Sequence, residues 1–429
     1  MHEISVKRSV FWVFGAILLA VASLYGGFLD NPLVFDDVSN FKYWEKASFS
    51  WFPAIEPRWL SYYSLRAVMQ GGYGVPIHRL ISLFLHAGVA GALFLFLHAL
   101  WGSIGGEQAR PLSPVITLLA VLLFAAHPAA VYGAAYLVQR SIVMATLFAL
   151  LMWWTFLRGL ESGRRRWFVA SAVLYFLTLS SKEHAITAPA VCVLLLVLHA
   201  RTHGAQAVFQ RHMCATLFAV FVAYALLAGY TALWFAGLLG RAYEPLGESL
   251  VSATGLGAAP GGRLYLLSVF NQATYFMKYL MLWGVPNPLW MSIDMREPFV
   301  ATLWTWPQTG MVAALLAYLG AGLFLLWRGG VRGVVGLGLL APFALFLTEF
   351  STIRIQEPFV LYRSYFWMAP AFAILLPLQY RDHRKMAAIL ALVLAGVFAF
   401  ALHRLYTFSN EFVLWDDAVR LVGRHGDRE

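Results

Sequence analysis

Apolar stretches long enough to cross a membrane recur along almost the whole chain, and no other feature restricts its folding as strongly. A hydrocarbon core about 30 Å thick needs roughly 20 apolar residues per helix. Such stretches lie at about 10–29, 77–99, 112–126, 140–157, 167–181, 184–200, 214–239, 309–327, 333–348, 364–379 and 387–403, some of them short. In lipid the backbone must satisfy its own hydrogen bonds, so only helices and closed barrels span. The alternating strands of about ten residues that mark a barrel are absent from this sequence. Composition agrees: 60% of residues are hydrophobic and 12% charged, against about 25% charged in soluble domains. The expectation is an all-α polytopic membrane protein, a single bundle of about eleven transmembrane helices over 1–403, with a short tail at 404–429.

The net charge of +10 does not point to nucleic acid, because the basic residues sit in short loops between apolar segments. That is the positive-inside pattern. With the N-terminus inside, the cytoplasmic segments become 1–9, 100–111, 158–166, 201–213, 328–332 and 380–386, and each carries Lys or Arg. Of the 21 acidic residues, only Glu3, Glu107, Glu161 and Asp382 fall inside. Orientation alone does not require this second asymmetry. The first apolar stretch follows Lys7 and Arg8 and lacks a clear small-residue cleavage site, so it reads as a retained helix. Cys192 and Cys214 lie within apolar stretches and suggest neither a disulfide framework nor a zinc site.

Residues 264–290 are apolar enough to span, yet they hold Asn271, Gln272, Lys278, Pro286 and Pro288. If they crossed, the basic loops at 328–332 and 380–386 would move outside. They are therefore expected to form a re-entrant or interfacial element on the outer face, preceded by a mobile outer loop at 240–263. No internal repeat is visible, which counts against a transporter built from repeats.

The first outer loop, 30–76, holds Asp36 and Asp37 just beyond the first helix. Adjacent carboxylates there suit a general base or a cation site; a solvated helix cap is the bland reading. The aromatic residues that follow, from Trp44 to Tyr63, interleave with Arg58 and Arg66 as in an interfacial helix. His78 and Arg79 open the second apolar segment, His127 ends the third, and Gln139 and Arg140 begin the fourth. Lys182, Glu183 and His184 form a tight outer turn. Glu349, Arg354, Glu357, Tyr362 and Arg363 line a later outer loop. Singly, each is explained by snorkelling, an interface belt or a satisfied bundle histidine. Together on one side they suggest a site, since ionisable groups at membrane depth are costly. Arg forks and a Lys point charge suit a phosphate, and a carboxylate suits deprotonation of an acceptor.

The run Val34-Phe35-Asp36-Asp37-Val38 resembles the first-loop diacid motif of GT-C-fold glycosyltransferases. More specifically, a co-linear series resembles the membrane half of the O-mannosyltransferases that carry tetratricopeptide repeats. It comprises Arg58-Trp59-Leu60-Ser61, Pro76-Ile77-His78-Arg79 with His86, His127-Pro128 with Arg140, Ser181-Lys182-Glu183, and Tyr362-Arg363-Ser364-Tyr365. Arg404 and Leu414-Trp415 resemble the segment that precedes the repeats. The family's usual glutamate–arginine pairing before the tyrosine is altered here to Leu361-Tyr362-Arg363, and the chain stops where the repeats would begin. Stand-alone bacterial members of this fold include enzymes that glycosylate type IV pilins, one kind using arabinofuranose.

The resemblance implies an inverting transferase in a bacterial inner membrane, with its site facing the periplasm. Its donor would be a sugar on polyprenyl phosphate and its acceptor a hydroxyl of an exported, pilin-like protein or a glycan. Asp36 or Asp37 would be the base. Arg140, Lys182 and Arg363 would hold the donor phosphate, and Arg58, His78, Arg79, His127, Glu183 and Tyr362 would position the substrates. A divalent metal is not required; if one binds, Asp36 and Asp37 are its ligands. The competing readings are a transporter or flippase of a lipid-linked or anionic substrate, and a scaffold without chemistry.

Overall fold

The computed structural model describes residues 2–51, 54–104, 112–207, 211–241, 262–295, 297–355 and 357–426. The loop expected at 240–263 lies, but for its ends, outside the described residues. Those residues form helices and turns with no β-strand element among them. In chain order the helices are α1 (His2–Tyr25), α2 (Asp36–Lys46), α3 (Trp59–Gln70), α4 (Val75–Ile104), α5 (Pro114–Ala125), α6 (Pro128–Ala134), α7 (Arg140–Ser162) and α8 (Arg165–Ser181). There follow α9 (Ala188–His203), α10 (Arg211–Trp234), α11 (Gly262–Gly284), α12 (Gln308–Arg328), α13 (Gly330–Phe346), α14 (Leu361–Ala371), α15 (His383–Thr407) and α16 (Glu411–Gly426).

Among the described residues, eight helical segments are long and apolar enough to cross a membrane, and nine if the bent pair α5–α6 counts as one span. This is the architecture of a polytopic helical membrane protein. The stretches expected at 167–181 and 364–379 fall on α8, of 17 residues, and on α14 with the 3₁₀ run Phe372–Tyr380 that continues it. The α5–α6 pair bends by 63° because His127 precedes Pro128. The proline ring disfavours helical backbone at the residue before it, and His127 is extended, at φ −67° and ψ 133°.

The spans divide into inner and outer ones. Most of α4, α7 and α13 is covered by other helices, whereas α10, α12 and α15 leave most of their surface free of protein. Glycines bring α12 and α13 together: a Cβ added at Gly336 would stand 2.3 Å from the Leu326 backbone nitrogen and 2.7 Å from the Gly322 oxygen. Small residues permit such close approach where apolar packing gains nothing from water. Inside the bundle the His86 ring joins three helices, through the Tyr365 hydroxyl at 2.6 Å and the Ala125 carbonyl at 3.0 Å.

Of the segment 264–290, residues up to Gly284 belong to α11 and a break and the short 3₁₀ turn Pro288–Trp290 follow; α11 is not among the eight spanning candidates. It packs along 349–360. The Tyr265 hydroxyl donates to the Phe350 carbonyl at 2.7 Å, Gln272 to the Pro358 carbonyl at 3.0 Å, and the Tyr279 hydroxyl to the Val360 carbonyl at 2.8 Å. Of its polar side chains, Gln272 is spent on that backbone, Asn271 on the carbonyls of Leu267 and Val300, and Lys278 on the Glu297 carboxylate. The end of α1, the starts of α4, α7 and α14, the end of α8, and both α2 and α3 meet at one end of the bundle.

Candidate active site at one end of the bundle

The two neighbouring carboxylates at the start of α2 do different things. A plain capping role would turn one of them onto the helix's own first N–H groups. No side-chain cap is present there. Instead Asp37 is fully buried and reaches another segment, accepting from the Val138 N–H at 2.7 Å and the Leu137 N–H at 3.1 Å. Burial pushes its carboxyl up to about 7, against those two bonds and the nearby Arg79. Asp36 is exposed. Its backbone N–H donates to the Tyr136 hydroxyl at 3.1 Å. Its side chain lines a cavity of about 130 Å³ with Tyr136, Asp294, Glu357, Tyr362 and Trp415. Phe35, just before it, has φ 52°, a region bulky residues rarely adopt.

Two arginines build the floor beneath this pair. Arg79 donates to the carbonyls of Asn31 (3.2 and 2.9 Å), Pro32 (2.6 Å) and Ala135 (2.6 Å). It therefore ties the strand-like approach to Asp36 to the backbone just ahead of Leu137 and Val138, which hold Asp37. Arg140 is fully buried and donates to the Ser82 hydroxyl (3.0 Å), the Ser64 carbonyl (3.2 Å) and the His78 carbonyl (2.7 Å). It knits α3, α4 and α7 together, and its guanidinium faces neutral oxygens rather than a cavity.

A second cluster is ionic. Arg58 grips Glu183 with two nitrogens, one of them at 2.5 Å, and donates to the Tyr62 hydroxyl at 3.2 Å. Arg58 is, with Phe35, one of two non-glycine residues at positive φ among the described residues. Glu183 also meets His184 Nδ1 at 2.9 Å, and the other ring nitrogen lies 3.6 Å from Glu349. Glu349 in turn accepts from Arg363 at 3.1 Å and faces Arg354 at 3.5 Å. Lys182 donates to Gln139 at 3.2 Å and to the Ser141 hydroxyl at 3.4 Å, and its ammonium stands 5.8 Å from the Tyr362 ring centre. Burial, with Arg58 and Arg363 close by, pushes Lys182 down to about 7, while Glu183 and Asp36 act the other way. Asp36 and this cationic cluster therefore share one electrostatic neighbourhood, with Tyr362 between them.

Beside the ionic cluster opens an apolar cavity of about 260 Å³, whose lining runs from Glu183, His184 and Arg354 to Phe235, Leu238 and Leu347. Charged groups at its base and hydrocarbon walls suit an amphiphile with an anionic head.

Asp36, Lys182, Arg58, Glu183, Tyr362 and Arg363 thus come together. Asp37, Arg79 and Arg140 lie beneath them as supports. His78 is buried under the Phe41 ring, 5.0 Å between centres. His127 stands apart: it caps α6 through the Ala129 N–H at 3.1 Å and donates to the Trp283 carbonyl at 3.2 Å. Tyr136 and Asp294 were not singled out from the sequence; neither sits in a motif, and only the fold brings them to Asp36. Among the described residues no three of His, Cys, Asp and Glu form a group able to hold a metal. Neither a protein-family model nor any curated protein matches the sequence.

Proposed function

We propose that the chain is a membrane glycosyltransferase of GT-C type, moving a sugar from a polyprenyl-phosphate donor to an acceptor hydroxyl with inversion. In this reading α8 and the α14 segment complete eleven crossings, the N-terminus is cytoplasmic, and the site faces the periplasm of a bacterial inner membrane. The observation that carries the proposal is the exposed Asp36 carboxylate set beside a buried cation cluster, which itself adjoins an apolar cavity.

The donor's hydrocarbon lies in the cavity ending at Leu347, and its phosphate meets Lys182, Arg58 and Arg363. The acceptor hydroxyl gives its proton to Asp36, and its oxygen attacks the anomeric carbon. The bond from that carbon to the phosphate oxygen breaks, and the leaving phosphate keeps the electron pair. The cations stabilise the charge that develops there, in a setting with little water to screen it. Asp37 and Arg79 hold the base in place, and Arg140 fixes the helices that carry it. No step needs a metal, because the leaving group carries a single phosphate that Lys and Arg can neutralise. The acceptor is a hydroxyl on an exported protein such as a pilin.

The test is transfer from polyprenyl-phosphate sugars by the purified protein in lipid. Asp36→Asn is expected to lower transfer about 10²–10⁴-fold, the usual worth of a general base, without moving the thermal midpoint. Wild-type transfer by this variant would sink the assignment of the base. Movement of intact donor across a liposome membrane, with no sugar transferred, would favour the flippase instead.

A further inference from the structure

The reaction above leaves one buried donor without use. Tyr136 is 3% exposed, and its hydroxyl accepts from the Asp36 N–H at 3.1 Å. Among the described residues no acceptor takes the proton of that hydroxyl. Burial, with Asp36 and Asp37 close by, pushes the phenol up and so keeps it protonated. A buried donor without an acceptor is costly, and this one suits an oxygen brought by a ligand.

Tyr136 lines the cavity of about 130 Å³ that also holds the Asp36 carboxylate. Asp294, Glu357 and the rings of Phe359 and Trp415 line it too. Phe35, at its positive φ, packs against Tyr136 at 6.4 Å and Trp415 at 4.7 Å between ring centres, and so sets both rings about one opening.

Each wall places a demand on the occupant. Ionised carboxylates only accept, and each has about four acceptor positions, so bonds within the protein do not exhaust them. The occupant must therefore donate to several carboxylates and also accept from Tyr136. Hydroxyl groups do both. A phosphate would meet three like charges, and a single Ser or Thr hydroxyl has one proton to give. The aromatic rings ask in addition for an apolar face. The volume is well below the roughly 300–1,000 Å³ of sites for drug-sized ligands, which fits one small ring and not an extended chain. A ring carrying several hydroxyls, with C–H faces between them, meets every demand.

We propose that this cavity is a saccharide subsite, in which Tyr136 donates to one ring hydroxyl while Asp294 and Glu357 accept from others. It rests on the transferase reading only for which substrate carries the ring, since binding is measurable without turnover.

Full-length protein in nanodiscs is titrated by saturation-transfer NMR with methyl glucoside, methyl mannoside and methyl arabinofuranoside, and with the monodeoxy analogues of the tightest. Cyclohexanol, with one hydroxyl, and inorganic phosphate are the controls. Glycoside binding without binding of either control is expected. Tyr136→Phe should bind the glycoside about fivefold more weakly, the worth of one neutral hydrogen bond, at a thermal midpoint close to wild type. One monodeoxy analogue should lose the same factor in wild type and nothing further in Tyr136→Phe. Additive losses for every analogue would mean that Tyr136 merely supports Asp36, and would overturn the proposal. Binding of no glycoside, or equal binding of cyclohexanol, would also overturn it. Glu357→Gln, at an exposed residue, should weaken binding about threefold; unchanged affinity there counts against the subsite in the same way. A short-chain polyprenyl-phosphate sugar that displaces the glycoside assigns the cavity to the donor's sugar, and one that binds beside it assigns it to an acceptor glycan; both support the subsite. Saccharide binding that depends on Tyr136, with no transfer from any polyprenyl-phosphate sugar, would refute the transferase reading and leave the subsite standing. Transfer without that dependence would do the reverse.

Discussion

Arg79 and Arg140 donate only to neutral oxygens, whereas Arg58 and Arg363, at the same end of the bundle, are paired with the carboxylates of Glu183 and Glu349. Both sets carry full charge in a place where charge is expensive. The first set spends its guanidinium groups on carbonyls that no helix satisfies, and so works as fixed struts. The second set belongs to a network of both signs, in which a further anion can join the cations without any buried group first losing its only partner. Counting arginines at membrane depth cannot separate these roles; the identity of the accepting atom does.

The comparison can be broken in several ways. The largest expected effect comes from Glu349→Gln, which leaves Arg363 and Arg354 facing each other without the charge between them. Removing one partner of a buried pair costs about 3–5 kcal/mol, read as a large drop in the thermal midpoint. A midpoint like wild type would mean that the network is not electrostatically coupled. Next is Arg140→Gln, which strands buried oxygens at about 1–3 kcal/mol yet should leave the donor KM close to wild type. Arg58→Gln should differ in raising the donor KM about tenfold, a loss of roughly 1.4 kcal/mol, in addition to the stability lost when buried Glu183 gives up its partner. Equal effects of the two substitutions on KM would erase the distinction between strut and ligand.

Two pH experiments sharpen it further. An ammonium attracts phosphate only while charged, and burial has brought that of Lys182 to about 7. Donor kcat/KM is therefore expected to fall as pH rises through about 7, and Lys182→Arg should move that fall beyond the alkaline end of the profile, since guanidinium stays charged. Persistence of the fall in Lys182→Arg would assign it to another group. The last experiment concerns Asp37, whose folded value of about 7 lies above the roughly 3.9 of an unfolded chain. Its ionisation therefore opposes folding. The thermal midpoint should decline as pH rises from about 4 to about 7 and level off above that. Asp37→Asn removes this slope, and a slope that survives it belongs elsewhere.

The helices were legible because lipid imposes a length and a polarity that composition alone reveals. Each expected apolar stretch falls on a helix, and the bend at His127-Pro128 follows from the proline. The ends proved harder. Nothing in the sequence distinguishes Asp36 from Asp37, because the difference lies in two backbone N–H groups about a hundred positions further along the chain. Arg140 is expected from the sequence to face a phosphate, but Ser64, Ser82 and the His78 carbonyl claim its donors, and only the packing of three helices brings those together. Lys182 and Glu183, adjacent in the chain, do land in one cluster, since a tight turn leaves them little choice. Tyr136 and Asp294 carry no local signal, since an isolated tyrosine in an alanine-rich run and an aspartate in a loop have many uses.

The two left-handed residues, Phe35 and Arg58, bear on how this protein would respond to selection. Such backbone costs about 1–3 kcal/mol per residue in side chains other than glycine. At 58 the fork to Glu183 outweighs that cost, since removing one partner of a buried pair loses about 3–5 kcal/mol. At 35 only ring packing, against Trp415 at 4.7 Å between centres, stands against it. A laboratory search for heat-tolerant variants should therefore reach glycine at 35 and pass over 58, so that of two strained residues one is held by charge and the other by packing alone.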